Sequence, residues 1–280
     1  MKLHEEKFEL LNYRGSQSKN KVFLAELPFI NESLIYQTSD CDIYPSAYSK
    51  DLGVYVSSDL AWSTHVNQIT EDAKKMSSWV LSVFTGRAPD LMLSLHKSMV
   101  RSMIEYSCPV WNPSTIPDIQ KLESTQRSFT RHISGCHGLT YWERLKRLDL
   151  LSLQRRRERY IIIHVWKIIH GEAPNDISLS YHHHPRLGIK CNVPNLPNAA
   201  PRSAKTAFDN SFAVKGPQLW NILPPEINSM ESLDTFKRRL TSFVKDRFPD
   251  TPPVFGYTGQ NSNSLLEWAV VPSSCLQQIA

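Results

Sequence analysis

The residues of this chain that could do chemistry are chiefly cations, and they are concentrated in one stretch. Between positions 121 and 167 there are eleven Lys and Arg but only four Asp and Glu, a net charge of +7. The other 233 residues therefore sum to −2, because the 280-residue chain has a formal net charge of +5. Arg outnumbers Lys here by eight to three, and the guanidinium fork suits bidentate contacts with phosphate oxygens. The predicted phosphate-binding residues are Arg127, Arg131, Arg144, Lys146, Arg147, Arg155, Arg156, Arg157 and Arg159.

The run QRRRER, residues 154–159, has two interpretations. It lies near the start of a predicted helix, where the helix dipole disfavours each cation by roughly 0.3 kcal/mol or more, and a bound polyanion would offset that cost. Alternatively, the arginines form a solvated helix face, which is the usual case for such runs. Aromatic residues interleave with the cations, but at helical spacing they are more typical of a core.

Other reactive side chains lack partners at a suitable spacing. The histidines at 182–184 are adjacent and point in different directions, which favours an exposed loop over a metal site. His132, Cys136 and His137 would need a fourth ligand that the sequence does not offer. Cys108 has no identifiable base, and no Asp-Asp pair occurs that could support two-metal phosphoryl transfer. The sequence thus predicts no catalytic residue and no metal site.

Composition excludes several classes of protein. The longest apolar stretch, 160–169, is interrupted by His164 and Lys167 and is far shorter than the ~20 residues of a membrane span. The first residues are acidic and lack the apolar run of a signal peptide. Five scattered cysteines without a CxxC pair indicate reduced thiols. These features predict an intracellular protein, in the cytoplasm or the nucleus, without a membrane partner. No dinucleotide, P-loop or esterase motif occurs.

The elements that must position the cations follow from periodicity and from proline. Residues 118–173 contain no Pro, whereas 174–225 contain eight, so only the first stretch is free to be continuously helical. Short Val-, Ile- and Tyr-rich runs before residue 58, such as 21–27 and 33–38, favour strands. From residue 60 the apolar spacing alternates between three and four, which is typical of a helix face. We therefore expect an α+β, predominantly helical fold.

Several segments, taken in order, resemble the C-terminal part of reverse transcriptases from non-LTR retrotransposons, with jockey-like LINE elements nearest. The order and spacing of these segments carry the resemblance, which extends from Met1 to about Tyr257. The matching segments are MKLHEEKFELLNYR, KDLGVYVSSDLAWSTHVNQI, SLHKSMVRSMIEYSCPVWNP, IQKLESTQRSFTRHISG, TYWERLKRLDLLSLQRRRERYIIIHVWKIIHG, SFAVKGPQLWNILPPEI and ESLDTFKRRL.

The resemblance implies a division of the chain. Residues 1–59 would be a β remnant of the polymerase palm with its closing hairpin, and 60–171 a helical thumb-like region. Composition adds a Pro/Asn-rich connection at 172–205 that would lead to a mixed C-terminal module at 206–257, and a Ser/Asn/Gln-rich tail at 258–280 that we expect to be disordered. In that family Mg²⁺ is held by aspartates of a Tyr-x-Asp-Asp hairpin, which has no counterpart here, so this chain needs no cofactor of its own. The fingers and most of the palm would be its missing partners.

Two functional hypotheses follow. In the first, the chain is a polymerase fragment that binds RNA, RNA–DNA hybrid or DNA through the backbone, independently of sequence, and has no polymerase activity alone. In the second, it is a structural or protein-interaction fragment, or a product without a selected role, and has no affinity for nucleic acid. If the arginines pair internally with acidic groups, the second hypothesis is favoured.

Overall fold

The computed structural model of the chain describes residues 10–11, 36–37, 42–43, 45–196, 202–247 and 264–270. Within these ranges most residues are helical, and the strands form four two-stranded pairings. The predicted α+β, predominantly helical class is confirmed.

Six short strands occupy the described part of the N-terminal region. They are β1 Leu10–Leu11, β2 Tyr36–Gln37, β3 Asp42–Ile43, β4 Pro45–Ser46, β5 Tyr48–Asp51 and β6 Val54–Ser57. β1 pairs in parallel with β4, whereas β2–β3 and β5–β6 are antiparallel. The β5–β6 hairpin turns through Leu52 and Gly53, whose φ angles of 45° and 88° match the tight turns that suit strand twist. The predicted strand at 21–27 lies outside the described residues, as does most of the one at 33–38.

Six helices form the middle of the chain and surround one core. They are α1 Ser63–Val83, α2 Pro89–Leu95, α3 Arg101–Glu105, α4 Cys108–Trp111, α5 Ile116–Thr130 and α6 Tyr141–Arg147. On α1, the predicted apolar face is largely correct, since Val66, Ala73 and Val80 are fully buried. That face packs against α5, so the helix period of the sequence sets how these two helices meet.

Caps mark where α5 and α6 begin, and the cap of α6 ends the turn between these helices. Thr115 Oγ1 accepts a hydrogen bond from the N–H of Asp118 at the start of α5. Thr140 and Glu143 form a reciprocal capping box at the start of α6. The intervening turn contains Gly135 and Gly138 at φ angles of 77° and 78°, a region that glycine adopts without strain.

The helix that contains the arginine run, α7 (Leu153–Ile169), lies between two cores. The first core draws on residues from Val54 to Leu153, and the second on residues from Leu151 to Leu265. The structure therefore differs from the predicted boundary at residue 171, because α7 contributes to both units. Its segment YIIIHVW is apolar around much of the helix, and such a helix is stable only when it is covered on several sides.

The second core is built from α7 and the C-terminal elements. These are β7 Tyr181–His184, β8 Gly188–Cys191, α8 Arg202–Asp209, α9 Phe212–Asn221, α10 Pro225–Asn228, α11 Leu233–Arg247 and α12 Leu265–Val270. The β7–β8 hairpin lies inside the predicted connection and buries Ile189 and Cys191. Part of the Pro/Asn-rich stretch is thus packed structure, because Pro185 lies in the turn of this hairpin and no proline interrupts its paired residues.

Two further differences concern the C-terminal third. The segment SFAVKGPQLW, whose apolar residues predict a packed strand and turn, forms helix α9 instead, and the Trp220 indole N–H donates to the Ile189 carbonyl at 3.0 Å. The prediction of a disordered tail is wrong for residues 264–270, where α12 places Leu265 in the core with no exposed surface. The physical reason is a long-range contact, since the Leu265 N–H donates to the Glu158 carboxylate at 2.7 Å.

Candidate nucleic-acid interface

Two arginines of the α7 run are buried. Arg155 has no exposed surface and Arg157 is 1% exposed. The Arg157 Nε–H donates to Asn112 Oδ1 at 3.0 Å, and burial lowers the pKa of its guanidinium. The expectation that these two side chains contact phosphates is therefore wrong. Packing on both sides of α7 keeps a polyanion away from them.

Arg156 is held by an acidic side chain from another helix. Its Nη2 donates to Glu105 Oε2 at 2.9 Å, and its Nε contacts the other carboxylate oxygen. Burial lowers the pKa of Arg156, but the hydrogen bond and negative charge of Glu105 outweigh that effect and raise the pKa. Arg101 lies on the same carboxylate at 3.6 Å. Arg156 therefore forms an internal ion pair, and its prediction as a phosphate-binding residue is wrong.

Arg159 connects α7 to α11. Its Nε–H donates to Thr241 Oγ1 at 2.9 Å and its Nη2 to the Lys237 carbonyl at 3.2 Å. Burial and the nearby Arg156 lower the pKa of Arg159. Since these contacts join two elements of the second core, the side chain has a packing role. All four arginines of QRRRER thus face the protein interior, wholly or in part, and the polyanion interpretation of this run is wrong.

The remaining predicted residues lie at the end of α5 and on α6. Arg131, Lys146 and Arg147 are exposed, Arg127 is half-buried, and Arg144 is 4% exposed. We call Arg127, Arg131, Arg144, Lys146 and Arg147 the α5–α6 basic surface. Five of the nine predicted residues therefore lie on these two neighbouring helices, and three of them, Arg127, Arg131 and Arg144, line one cleft.

Arg144 forms the inner wall of this surface and is fixed by three hydrogen bonds. Its Nε donates to Thr130 Oγ1 at 3.1 Å, its Nη1 to the Leu139 carbonyl at 2.8 Å and its Nη2 to the Arg127 carbonyl at 3.1 Å. Burial and the positive charge of Arg131 lower its pKa. Arg144 is thus held in place by the protein, and the positive charges of Arg131 and Arg127 act on it.

A cleft of about 430 Å³ opens between Arg144, Arg127 and Arg131. Its other walls are Cys136, His137, Gly138, Leu139, Thr140 and Tyr141, so none of its described lining residues is acidic. The Arg127 guanidinium lies over the Tyr141 ring at 5.0 Å, which orients it along the wall. Such a cleft favours a bound anion, because cations that share a partly enclosed space repel one another until an anion neutralises them.

Lys146 and Arg147 lie outside the cleft, near the end of α6. The Arg147 guanidinium packs over the turn that precedes α6, so close that a Cβ built on Gly135 would lie 2.8 Å from its Nη2. Glu143, at the start of α6, is exposed and its carboxylate accepts from the Thr140 N–H at 2.7 Å. The hydrogen bonds from Thr140 lower the pKa of Glu143, so this surface contains one ionised acid among five cations.

Sequence reasoning missed three residues of the cleft in this role: His137, Thr140 and Tyr141. The sequence spacing presents His137 only as a possible metal ligand. The available signal was the pattern Thr-x-x-Glu at 140–143, which marks a capping box and therefore a helix start. That start would have placed the basic residues of α5 and α6 on either side of one short turn.

The other reactive groups do not assemble into a site in the part of the chain that the structure describes. There, no three His, Cys, Asp or Glu side chains come together as metal ligands, and no carboxylate cluster is present that fits Mg²⁺. Cys108 is buried, and burial raises its pKa to about 12, which makes the thiolate form inaccessible at neutral pH. His182, His183 and His184 are exposed on β7. None of the described helices is long and apolar enough to span a membrane.

Comparisons with known proteins identify one relative without a known function. The chain matches no protein-family model and no solved structure. It is similar to an uncharacterized protein of Caenorhabditis elegans, with 25% identity over 125 residues. That match covers 44% of this chain and 63% of the relative, so the chain spans less than two thirds of the relative's length.

Proposed function

We propose that this chain binds the phosphate backbone of nucleic acid, independently of sequence, through the α5–α6 basic surface. The observation that carries the proposal is the cleft in which Arg127, Arg131 and Arg144 meet without an acidic lining residue among those described. Lys146 and Arg147 extend the positive charge beyond the cleft. Arginine forks at such a surface can contact phosphates at several positions of a strand.

The resemblance to the C-terminal part of non-LTR reverse transcriptases supplies the class of ligand. A template–primer duplex, an RNA–DNA hybrid or RNA itself would present the continuous row of phosphates that this surface fits. We propose that the chain binds without polymerising, since the described residues contain no cluster of carboxylates for metal-assisted nucleotide transfer. The missing palm and fingers would be its partners in a complete polymerase.

We further propose that the protein is located inside the cell, in the cytoplasm or the nucleus. Cys108, Cys136 and Cys191 are free and buried, and unpaired cysteines are typical of a reducing compartment. A nucleic-acid ligand would be found in either compartment.

The test is a titration of the chain against an RNA–DNA hybrid at about 50 and 200 mM salt. If about four phosphates are neutralised, the affinity should fall by roughly two orders of magnitude between these concentrations. A hybrid of unrelated sequence should bind equally well, because phosphate contacts carry no sequence information. No affinity at the lower salt concentration would contradict the proposal and favour a structural or protein-interaction fragment.

A further inference from the structure

The arginine cleft has a feature that general backbone binding does not require. The Nε of Arg127 is buried and has no hydrogen-bond partner among the described residues, although its guanidinium lines the cleft. An unpaired charged donor in a buried position is costly, and an anion that entered the cleft could relieve that cost. An anion bound at Arg127 could therefore supply an acceptor that the described residues do not.

The charge of the lining distinguishes one kind of phosphate from another. Three arginines line a volume of about 430 Å³, within the range of small-ligand sites. A phosphodiester inside a strand carries one negative charge and offers two free oxygens. A terminal phosphomonoester carries roughly −1.5 to −2 at pH 7 and offers three acceptor oxygens, which matches three cations better.

Rigidity favours the same ligand. Arg144 uses three of its five N–H groups on the protein, which leaves one N–H on each terminal nitrogen for a ligand. Arg127 is oriented by the Tyr141 ring, and Arg131 is exposed at the rim. A site with one fixed cation, one oriented cation and one exposed cation at its rim can surround the end of a strand.

We infer that this cleft prefers the terminal phosphate of a nucleic-acid strand to an internal phosphate, while Lys146 and Arg147, outside the cleft, bind internal phosphates only. This inference rests on the proposed function and deepens it. The cleft would then determine where along a strand the chain binds, since only an end carries a phosphomonoester.

The experiment compares single-stranded oligonucleotides of one sequence that carry a 5′-phosphate, a 3′-phosphate or hydroxyls at both ends. We expect one phosphorylated form to bind the full-length chain about tenfold tighter than the hydroxyl form, the gain of one or two charge-assisted hydrogen bonds. An excess of inorganic phosphate should compete for this gain. Equal affinity for all three oligonucleotides would overturn the inference.

Two variants that remove the same charge locate the effect. Arg127→Gln/Arg131→Gln should abolish the preference for the phosphorylated strand. Lys146→Gln/Arg147→Gln should weaken binding of all three oligonucleotides while the preference stays. Arg131→Gln alone, at an exposed position, provides a variant that folds if the double variant does not, and it should reduce the preference severalfold.

The outcomes separate this inference from the proposed function. Salt-dependent binding of every oligonucleotide, with no preference for a terminal phosphate, would leave backbone binding in place and remove the terminal-phosphate site. No binding of any oligonucleotide at low salt would remove both. A preference that disappears equally in both double variants would contradict the location of the site in the cleft.

Discussion

The guanidinium of Arg156 on α7 is paired with the carboxylate of Glu105 on α3, and Nη2 lies 2.9 Å from Oε2. Both side chains are largely buried, at 16% and 9% exposure. The same carboxylate also lies 3.6 Å from Arg101. One acidic group therefore neutralises two partly desolvated cations, and the arginine run of α7 stabilises the fold instead of binding a ligand.

Replacing Glu105 by Gln should destabilise the protein by about 3 kcal/mol. The change leaves Arg101 and Arg156 without a counter-charge in a position with little access to water, which is much costlier than losing an exposed ion pair. Urea denaturation at neutral pH measures the change in the free energy of unfolding.

The control is Asp234→Asn in α11. Asp234 also pairs with a cation, Lys237, at 3.9 Å, but it is 92% exposed, so water and salt already screen the pair. The free energy of unfolding of the Asp234→Asn variant should stay close to that of the unaltered chain. If both variants lose the same stability, the burial of the Glu105 pair is not what makes it important.

A second pair of variants tests which arginines bind and which support the fold. Arg157→Gln should lower the free energy of unfolding by about 2 kcal/mol, because it removes the hydrogen bond to Asn112 from a buried site. Its affinity for an RNA–DNA hybrid should be unchanged. Arg131→Gln, the same chemical change at an exposed position, should keep stability and lose affinity. If Arg157→Gln instead lost affinity and kept stability, Arg157 would have to be counted among the nucleic-acid-binding residues.

The helical middle of the fold could be predicted because its signals are local. The spacing of Val66, Ala73 and Val80 gives the buried face of α1 directly, and the cap before α6 is readable as a four-residue pattern. The clustering of positive charge between 121 and 167 was likewise visible, and three of its residues, Arg127, Arg131 and Arg144, line one cleft.

The direction of the α7 arginines could not be predicted, because their partners are remote in sequence. Asn112 is 45 positions from Arg157, Glu105 is 51 from Arg156, and Thr241 is 82 from Arg159. Only the tertiary packing of α7 between two cores brings these groups together. The same holds for the helix at the C-terminal end, whose first N–H binds a carboxylate 107 positions earlier.

The stability of the fold should decline as the pH falls, in part because of His96. This side chain lies fully buried in the π-helical turn His96–Val100 between α2 and α3, and its ring centroid is 4.8 Å from that of Phe129. Burial, with the positive charge of Arg101 as the next cause, lowers its pKa to about 3. The unfolded chain therefore takes up the proton first, so the contribution to stability is complete above pH 6.5 and is lost as the pH falls towards 3.

Replacing His96 by Leu should remove this part of the pH dependence. Between pH 7 and pH 5 the loss of stability should be smaller than in the unaltered chain by about 2 kcal/mol. His65, whose pKa burial lowers to about 4, keeps part of the slope. His183→Ala on the exposed strand β7 is the control and should leave the slope unchanged. Parallel pH curves for the unaltered chain and His96→Leu would contradict the assignment.

Glu158 should act in the opposite direction, because it is an acid buried beside α12. Burial raises its pKa, opposed by hydrogen bonds from Leu265 and Ser264 and by the charges of Arg155 and Lys215. The folded protein therefore holds this proton to a higher pH than the unfolded chain does. Its contribution to stability is fully present below the ordinary pKa of 4.5 and falls as the pH rises above that value.

Glu158→Gln keeps an oxygen that can accept the Leu265 N–H but removes the buried charge. We expect it to remove the decline in stability above pH 4.5. Glu158→Ala removes the acceptor as well, so the Leu265 amide, now unpaired at the start of α12, should exchange its hydrogen faster in a hydrogen-exchange measurement. If Gln destabilises the protein as much as Ala does, the charge itself holds α12 in place, and the sign of the pH dependence argued for this carboxylate is reversed.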